Sequence, residues 1–221
     1  MNIKTINQQI NELNNLCNLL NNKINSFELS EDFNDGRINS IKNENEIIDL
    51  ILKNSNSWSK CKERDSKDIY HEHLDINVNI KVSTFKTNDN MSSKSGLISV
   101  FSKNNIKQGH LDYVKELISI NSNGLDKTLF KDYYFLLFNK IERNFSLSSV
   151  LNLNKVSVNS NNLPFQIKWN NNSFLQLPIF DNLEKFNFIK NKQFKKCCNA
   201  IFEGYLKRAE PALLILNERN K

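Results

Sequence analysis

Residues 68–83 read DIYHEHLDINVNIKVS, and within them Ile76, Val78, Ile80 and Val82 alternate strictly with Asn77, Asn79, Lys81 and Ser83. A period of two with apolar and polar residues on opposite sides is the pattern of a strand with one face in a core. Residues 68–73 are also strand-like, and Leu74-Asp75 as a tight two-residue connection makes the two runs an antiparallel hairpin. That connection sets Asp68 opposite Lys81, Tyr70 opposite Asn79 and Glu72 opposite Asn77. Asp68, Tyr70 and Glu72 then share a sheet face with Asn77, Asn79 and Lys81, while Ile69 joins Val78 and Ile80 on the apolar face. A one-residue slip in register would send Asp68 to the other side.

Upstream, Ile3, Ile6, Ile10, Leu13, Cys17, Leu20, Ile24 and Phe27 recur at spacings of three and four, which places one apolar seam along a helix of about 25 residues. Two readings of the seam stand open. Leu16 and Leu19 widen it toward packing on the chain's own domain, and a strict seam also suits pairing between subunits. The organisation expected is therefore residues 1–29 as a helical, possible dimerisation element and 30–221 as one domain. Asp35-Gly36 marks a turn, and residues 44–52 read as a short second helix with Ile47, Ile48, Ile51 and Leu52 inward.

Downstream, residues 97–101 form a short apolar run taken as a third strand, and the dense cluster from Tyr133 to Phe138 belongs to the core. Residues 165–169 and 174–179 read as extended. The chain closes in a helix over residues 186–216, bent or divided at Pro211. The order of elements predicts an α/β (α+β) fold with a central mixed sheet flanked by helices and a long N-terminal helix.

The 221 residues are 39 % hydrophobic and 24 % charged, enough for one real core. No stretch approaches the roughly 18 apolar residues of a bilayer span, and the start lacks the basic-then-apolar order of an export signal. A cytoplasmic protein with no membrane partner is expected. The net charge of +6, from 30 Lys and Arg against 24 acids, leans toward a polyanionic partner. Asn makes up roughly a sixth of the chain, and Lys exceeds Arg as Ile exceeds Val. This bias reads as an AT-rich genome, so asparagine runs are given no functional weight. Cys17, Cys61, Cys197 and Cys198 fit no metal-ligand spacing and read as reduced thiols.

Asp68, followed after ten residues by Asn79-Ile80-Lys81 in an alternating strand, resembles the PD-(D/E)XK motif of magnesium-dependent nucleases. The later "TNDNMSSKSGL" and "LPFQIKWNNN" and the closing helix are similar in arrangement to type II restriction endonucleases. The resemblance implies a restriction-endonuclease-like fold and a site-specific deoxyribonuclease that hydrolyses phosphodiester bonds of double-stranded DNA, using Mg2+ and a homodimer. In it Asp68, Asn79 and Lys81 are catalytic, with Asp68 and Asn79 on the metal. Asn79 stands where the family places an acid, so a second carboxylate is required, with Glu46 the first candidate and Glu72 the second. Mg2+ prefers carboxylate and water oxygens, and an ammonium supplies fixed charge where negative charge develops.

For DNA contact the sequence offers Ser83, Lys86, Asn88, Asn90, Ser92, Ser93 and Lys94 directly after the Lys81 strand, and Lys168 and Asn170 in a second polar segment. Simpler roles weigh against these: a cross-strand ion pair for Asp68 and Lys81, solvated loops for the polar runs, and packing for His71 and His73. Two further functions are kept open. One is a repair or structure-specific nuclease with the same site, the other a non-catalytic coiled-coil interaction protein.

Overall fold

In the computed structural model, which describes residues 2–30, 36–62, 65–86, 89–90, 94–104, 110–158 and 166–219, the apolar seam builds helix α1, Ile3–Lys23. Asn2 caps it by accepting the Thr5 N–H at 3.1 Å, which satisfies a donor that every helix start leaves open. A 3-10 turn over Ile24–Ser26 follows. Ile6, Ile10, Leu13, Leu16, Cys17 and Leu20 are all buried, in the same core as the sheet. The seam is buried inside the chain's own core, which is the first of its two readings, and as placed here it is not a free face for a second copy.

The flank of α1 beside this seam explains why it docks here. Asn7, Asn14 and Asn21 recur every seven residues, which returns a helical side chain to nearly the same azimuth. Each uses both ends of its amide on one residue of a neighbouring segment. Asn7 accepts the Phe180 N–H at 2.9 Å and donates to the Phe180 carbonyl at 2.8 Å. Asn14 does the same at Leu177, at 2.8 and 3.2 Å, and Asn21 at Phe145, at 2.7 and 2.9 Å. The asparagines discounted as compositional bias are thus the rungs by which α1 holds Phe145 of the sheet's last strand and two residues, Leu177 and Phe180, that lie outside any helix or strand.

The main sheet contains β1 (Ser59–Lys60), β2 (Ile69–His71), β3 (Ile76–Ser83), β5 (Tyr134–Asn139) and β6 (Asn144–Ser149), in the order β1-β2-β3-β5-β6. Neighbours are antiparallel except β3 and β5, which run parallel. A parallel pair needs a crossover, and helices α3 (Lys94–Phe101) and α4 (His110–Asn123) lie between these strands in the chain. The register aligns Ile80, Leu136 and Leu147 in one row and Val82, Phe138 and Phe145 in the next, an apolar face that α1 covers. Asn79, Phe135 and Ser148, then Lys81, Leu137 and Ser146, form rows of the opposite face. The fold is mixed α/β, with a five-stranded mixed sheet, helices and a long N-terminal helix. Among the described residues no helix is long and apolar enough to cross a membrane.

Several boundaries differ from those expected. The hairpin turn takes four residues, 72–75, with the Asp75 N–H on the Glu72 carbonyl at 3.2 Å and Asp75 at φ 50°, a left-handed conformation that Asp tolerates. Ile69 consequently pairs with Val78 and Tyr70 with Asn77. The register moves by two residues, an even step, so every side chain keeps its predicted face. Residues 97–101 are helix, not strand, because an apolar run this short has no decisive period. Helix α2 is longer than predicted, Gly36–Asn54, and α5 is undivided over Leu183–Arg219. Pro211 removes only one rung of its ladder. Asp35 and Phe165 lie outside the described residues. A second sheet, β4 (Asp89–Asn90), β8 (Gln166–Ile167) and β7 (Val156–Ser157), has the order β4-β8-β7.

Two measurements test this architecture. Asn14→Ala leaves the Leu177 N–H and carbonyl without partners, and urea unfolding is expected to show a loss of about 2 kcal/mol. Asp132, buried just before β5, accepts N–H bonds from Tyr133 at 2.8 Å and Leu151 at 3.2 Å, yet burial pushes its carboxyl up to about 7. A folded value raised above the unfolded one gives stability that is full at low pH and is lost as pH rises through about 7. Asp132→Asn is therefore expected to gain stability over the wild type at pH 8 and to lose that advantage near pH 5, read from paired denaturation curves.

Candidate active site

Strand β2 begins at Ile69, two residues too late to supply a main-chain acceptor for the Ile80 N–H in the observed register. The Asp68 side chain fills the gap. Its N–H donates to the Val78 carbonyl at 2.9 Å, and its Oδ2 accepts from the Ile80 N–H at 2.6 Å. Burial raises the Asp68 carboxyl above its ordinary value, while the Ile80 hydrogen bond and the charge of Lys81 pull it back. Asp68 thus stands at a strand end beside the strand that carries Lys81, with its carboxylate oriented by the backbone.

Lys81 does not pair with Asp68. Its Nζ lies 3.2 Å from Glu44 Oε1 of α2, with the two side chains 22 % and 21 % exposed. At that exposure the pair is shielded from much of the solvent, and its attraction exceeds that of a surface ion pair. Glu44 was not among the residues chosen from the sequence, although helical spacing points to it. Glu44, Ile48 and Ile51 fall at i, i+4 and i+7, on the stripe that faces inward, and Ile48 and Ile51 are buried. Glu46 is two positions on, where side chains do not share a face. Its carboxylate accepts the Ser30 N–H at 3.0 Å and the Ser30 hydroxyl. Glu72 is exposed in the hairpin turn, at the opposite end of β3 from Lys81. Of the two acids proposed to compensate for Asn79, neither pairs with Lys81; Glu44 does.

Asn79 is 7 % exposed, and its Oδ1 is buried with no hydrogen-bond partner. Buried amide oxygens are normally satisfied, so this atom is available to a group not present in the chain. Among the described residues there is no group of three His, Cys, Asp or Glu side chains positioned to hold a metal. The oxygen donors near Lys81 are two carboxylates, Glu44 and Asp68, and this amide.

The expected DNA contacts divide. Ser83 is buried and its hydroxyl accepts the Phe85 N–H at 3.0 Å, so it shapes the turn after β3. Lys86 is exposed. Asn90 lies in β4 opposite Gln166, and Lys94 opens α3; Asn88, Ser92 and Ser93 lie outside the described residues. Lys168 is half-buried and Asn170 exposed. The β4–β8 pairing brings the two polar segments, far apart in sequence, together in one small sheet.

His71 and three of the cysteines are packed in the core. His71 is buried edge-on against Trp58, ring centroids 5.3 Å apart. The four cysteines are free, and burial pushes the Cys17, Cys197 and Cys198 thiols up to about 12, away from the reactive thiolate.

Because Glu46 ties α2 to Ser30, Glu46→Gln is expected to lower stability by about 1–2 kcal/mol in urea unfolding. Glu44→Gln removes the carboxylate that pairs with the Lys81 ammonium and is expected to lower stability as well, an outcome checked by unfolding the two variants side by side. The chain matches no protein-family model, no curated protein and no solved structure.

Proposed function

We propose that the chain is a Mg2+-dependent site-specific endonuclease of the restriction type, acting in the cytoplasm and hydrolysing phosphodiester bonds of double-stranded DNA. One observation carries the reading: Asp68 and Lys81 lie on neighbouring strands, and α2 supplies Glu44 to the same place. This is the arrangement that the resemblance to the PD-(D/E)XK nucleases implies, with the missing acid coming from Glu44 in place of Glu46.

The donor set fits a hard cation. Glu44, Asp68 and the unpartnered Asn79 Oδ1 offer only oxygen, which Mg2+ prefers, and one or two carboxylates suffice because it retains several waters. When bound, the ion polarises a phosphoryl oxygen and lowers the pKa of a water. The chain's own residues do the rest. Ile80 fixes the Asp68 carboxylate through its N–H, and Glu44 holds the Lys81 ammonium beside the polar sheet face. A phosphate entering there meets a positive charge already in place, which stabilises the charge that develops on its oxygens during hydrolysis. Cutting both strands of a palindrome is most simply done by a two-fold homodimer, whose interface is some surface other than the buried α1 seam.

Incubating purified protein with plasmid and Mg2+ tests the proposal. Wild-type protein is expected to cut at discrete sites. Lys81→Ala, Asp68→Asn and Glu44→Gln are each expected to cut at least ~100-fold more slowly while remaining folded. Asn79→Asp, which restores an acid, is expected to keep substantial activity. A Lys81→Ala protein that digests plasmid at the wild-type rate would remove this site from the reaction, and cleavage confined to flapped or damaged duplexes would favour a repair nuclease.

A further inference from the structure

The lysines of the C-terminal half gather on one surface that the catalytic reading does not use. From Arg143 to Phe180 the sequence contains no Asp or Glu, and the fold folds this acid-free stretch against α5. Asn172, fully buried, clamps it. Its Oδ1 accepts the Asn154 and Lys155 N–H groups at 2.6 and 3.0 Å. Its Nδ2 donates to the Lys155 and Lys168 carbonyls at 2.6 and 3.0 Å. All four amide valences are used, and Lys155 and Lys168 are fixed as neighbours. Lys196 then ties α5 to the same turn, donating to the Leu153 carbonyl at 2.6 Å and the Asn154 carbonyl at 3.2 Å.

On α5, Lys192, Lys196, Asn199, Glu203 and Lys207 follow the i, i+3, i+4 stripe of one helix face. Lys196 to Lys207 of that stripe line a cleft of about 520 Å³ whose other wall is β7 and Val158. Lys155, Lys192 and Lys195 are exposed, and none forms an ion pair with a described residue. The one acid on the stripe, Glu203, is already paired with Lys207 at 3.1 Å. Asp89, the acid of the small sheet, is on β4, separated from β7 by β8.

We propose that this surface of β7, the 3-10 turn Trp169–Asn171 and the middle of α5 binds the phosphate backbone of duplex nucleic acid. Unpaired lysines attract phosphates without reading sequence. The exposed side chains between them include the amides Asn154, Asn170, Asn171 and Asn199, which hydrogen-bond to phosphate and sugar oxygens. The proposal requires no metal and no cleavage, so it stands or falls independently of the endonuclease reading.

The experiment is fluorescence anisotropy with a labelled DNA duplex in EDTA, over about 50 to 200 mM salt. The triple variant Lys155→Gln, Lys192→Gln, Lys195→Gln is compared with a control triple of the same charge loss elsewhere, Lys4→Gln, Lys23→Gln, Lys53→Gln. The surface triple is expected to bind about tenfold or more weakly at intermediate salt, with its log K against log salt slope smaller by about two to three, while the control stays within about twofold. Equal weakening in both triples would reduce the effect to net charge and overturn the proposal. So would unchanged binding in the surface triple, or wild-type protein that binds phosphatidylserine vesicles but not duplex. Binding lost in the surface triple of a protein that never cuts DNA would uphold this surface and reject only the catalytic proposal.

Discussion

A primary amide carries one carbonyl acceptor and an N–H donor in the same plane as a peptide group, and this equivalence holds α1 to the rest of the chain. Asn7, Asn14 and Asn21 each do for one residue what a strand partner would do, so Leu177 and Phe180 pair their backbone groups although the only bridge of their segment to a described strand is Leu147 to Phe174. Once α1 is fixed, its apolar seam covers the rows of β3, β5 and β6. That leaves the opposite face to carry Asn79, Lys81 and the buried serines, and the polar site follows from which face the helix has claimed. Asn172 repeats the device a few residues upstream of that segment, where its four bonds gather a turn, a strand end and a 3-10 turn.

These amides show what was legible in the sequence and what was not. The alternation of Ile76, Val78, Ile80 and Val82 survives in the structure because a period of two is a direct image of side-chain direction in a strand. The seam from Ile3 is equally plain, since a stripe that long has only one conformation that keeps it on one side. What the pattern could not give was the partner of the stripe, because burial looks the same whether the covering surface belongs to the same chain or another. Asn7, Asn14 and Asn21 do carry a signal, a strict spacing of seven, but it was hidden in a chain where asparagine is everywhere. Residues 97–101 failed for a different reason: Leu97, Ile98, Val100 and Phe101 fit a buried helix and a buried strand alike.

At the candidate site the hairpin turn proved longer than expected and the second acid lay elsewhere. Neither error displaced Asp68 from Lys81, because the turn lengthened by an even register step and because Glu44 and Glu46 arise from the same helix. Glu44 was recoverable by extending the inward stripe of Ile48 and Ile51 back by one turn. The Lys81 ammonium pairs with Glu44 of α2, and its charge also opposes the cost of burying Asp68. Such balance gives a polar face that is dry enough to strengthen electrostatic contacts and still satisfied enough to fold.

The bond from Asp68 Oδ2 to the Ile80 N–H has a consequence for how this chain can drift over generations. A carboxylate that completes a ladder is tied to one side of the sheet, and the hairpin connection is what sets that side. Losing or gaining a single codon in the turn over residues 72–75 would invert the hairpin's inner and outer faces, burying Asp68 and exposing Ile69. Gaining or losing two would leave both where they are. Descendants of this sequence should therefore vary in turn length by pairs of residues, and an odd-length turn should be found only where Asp68 has already been lost.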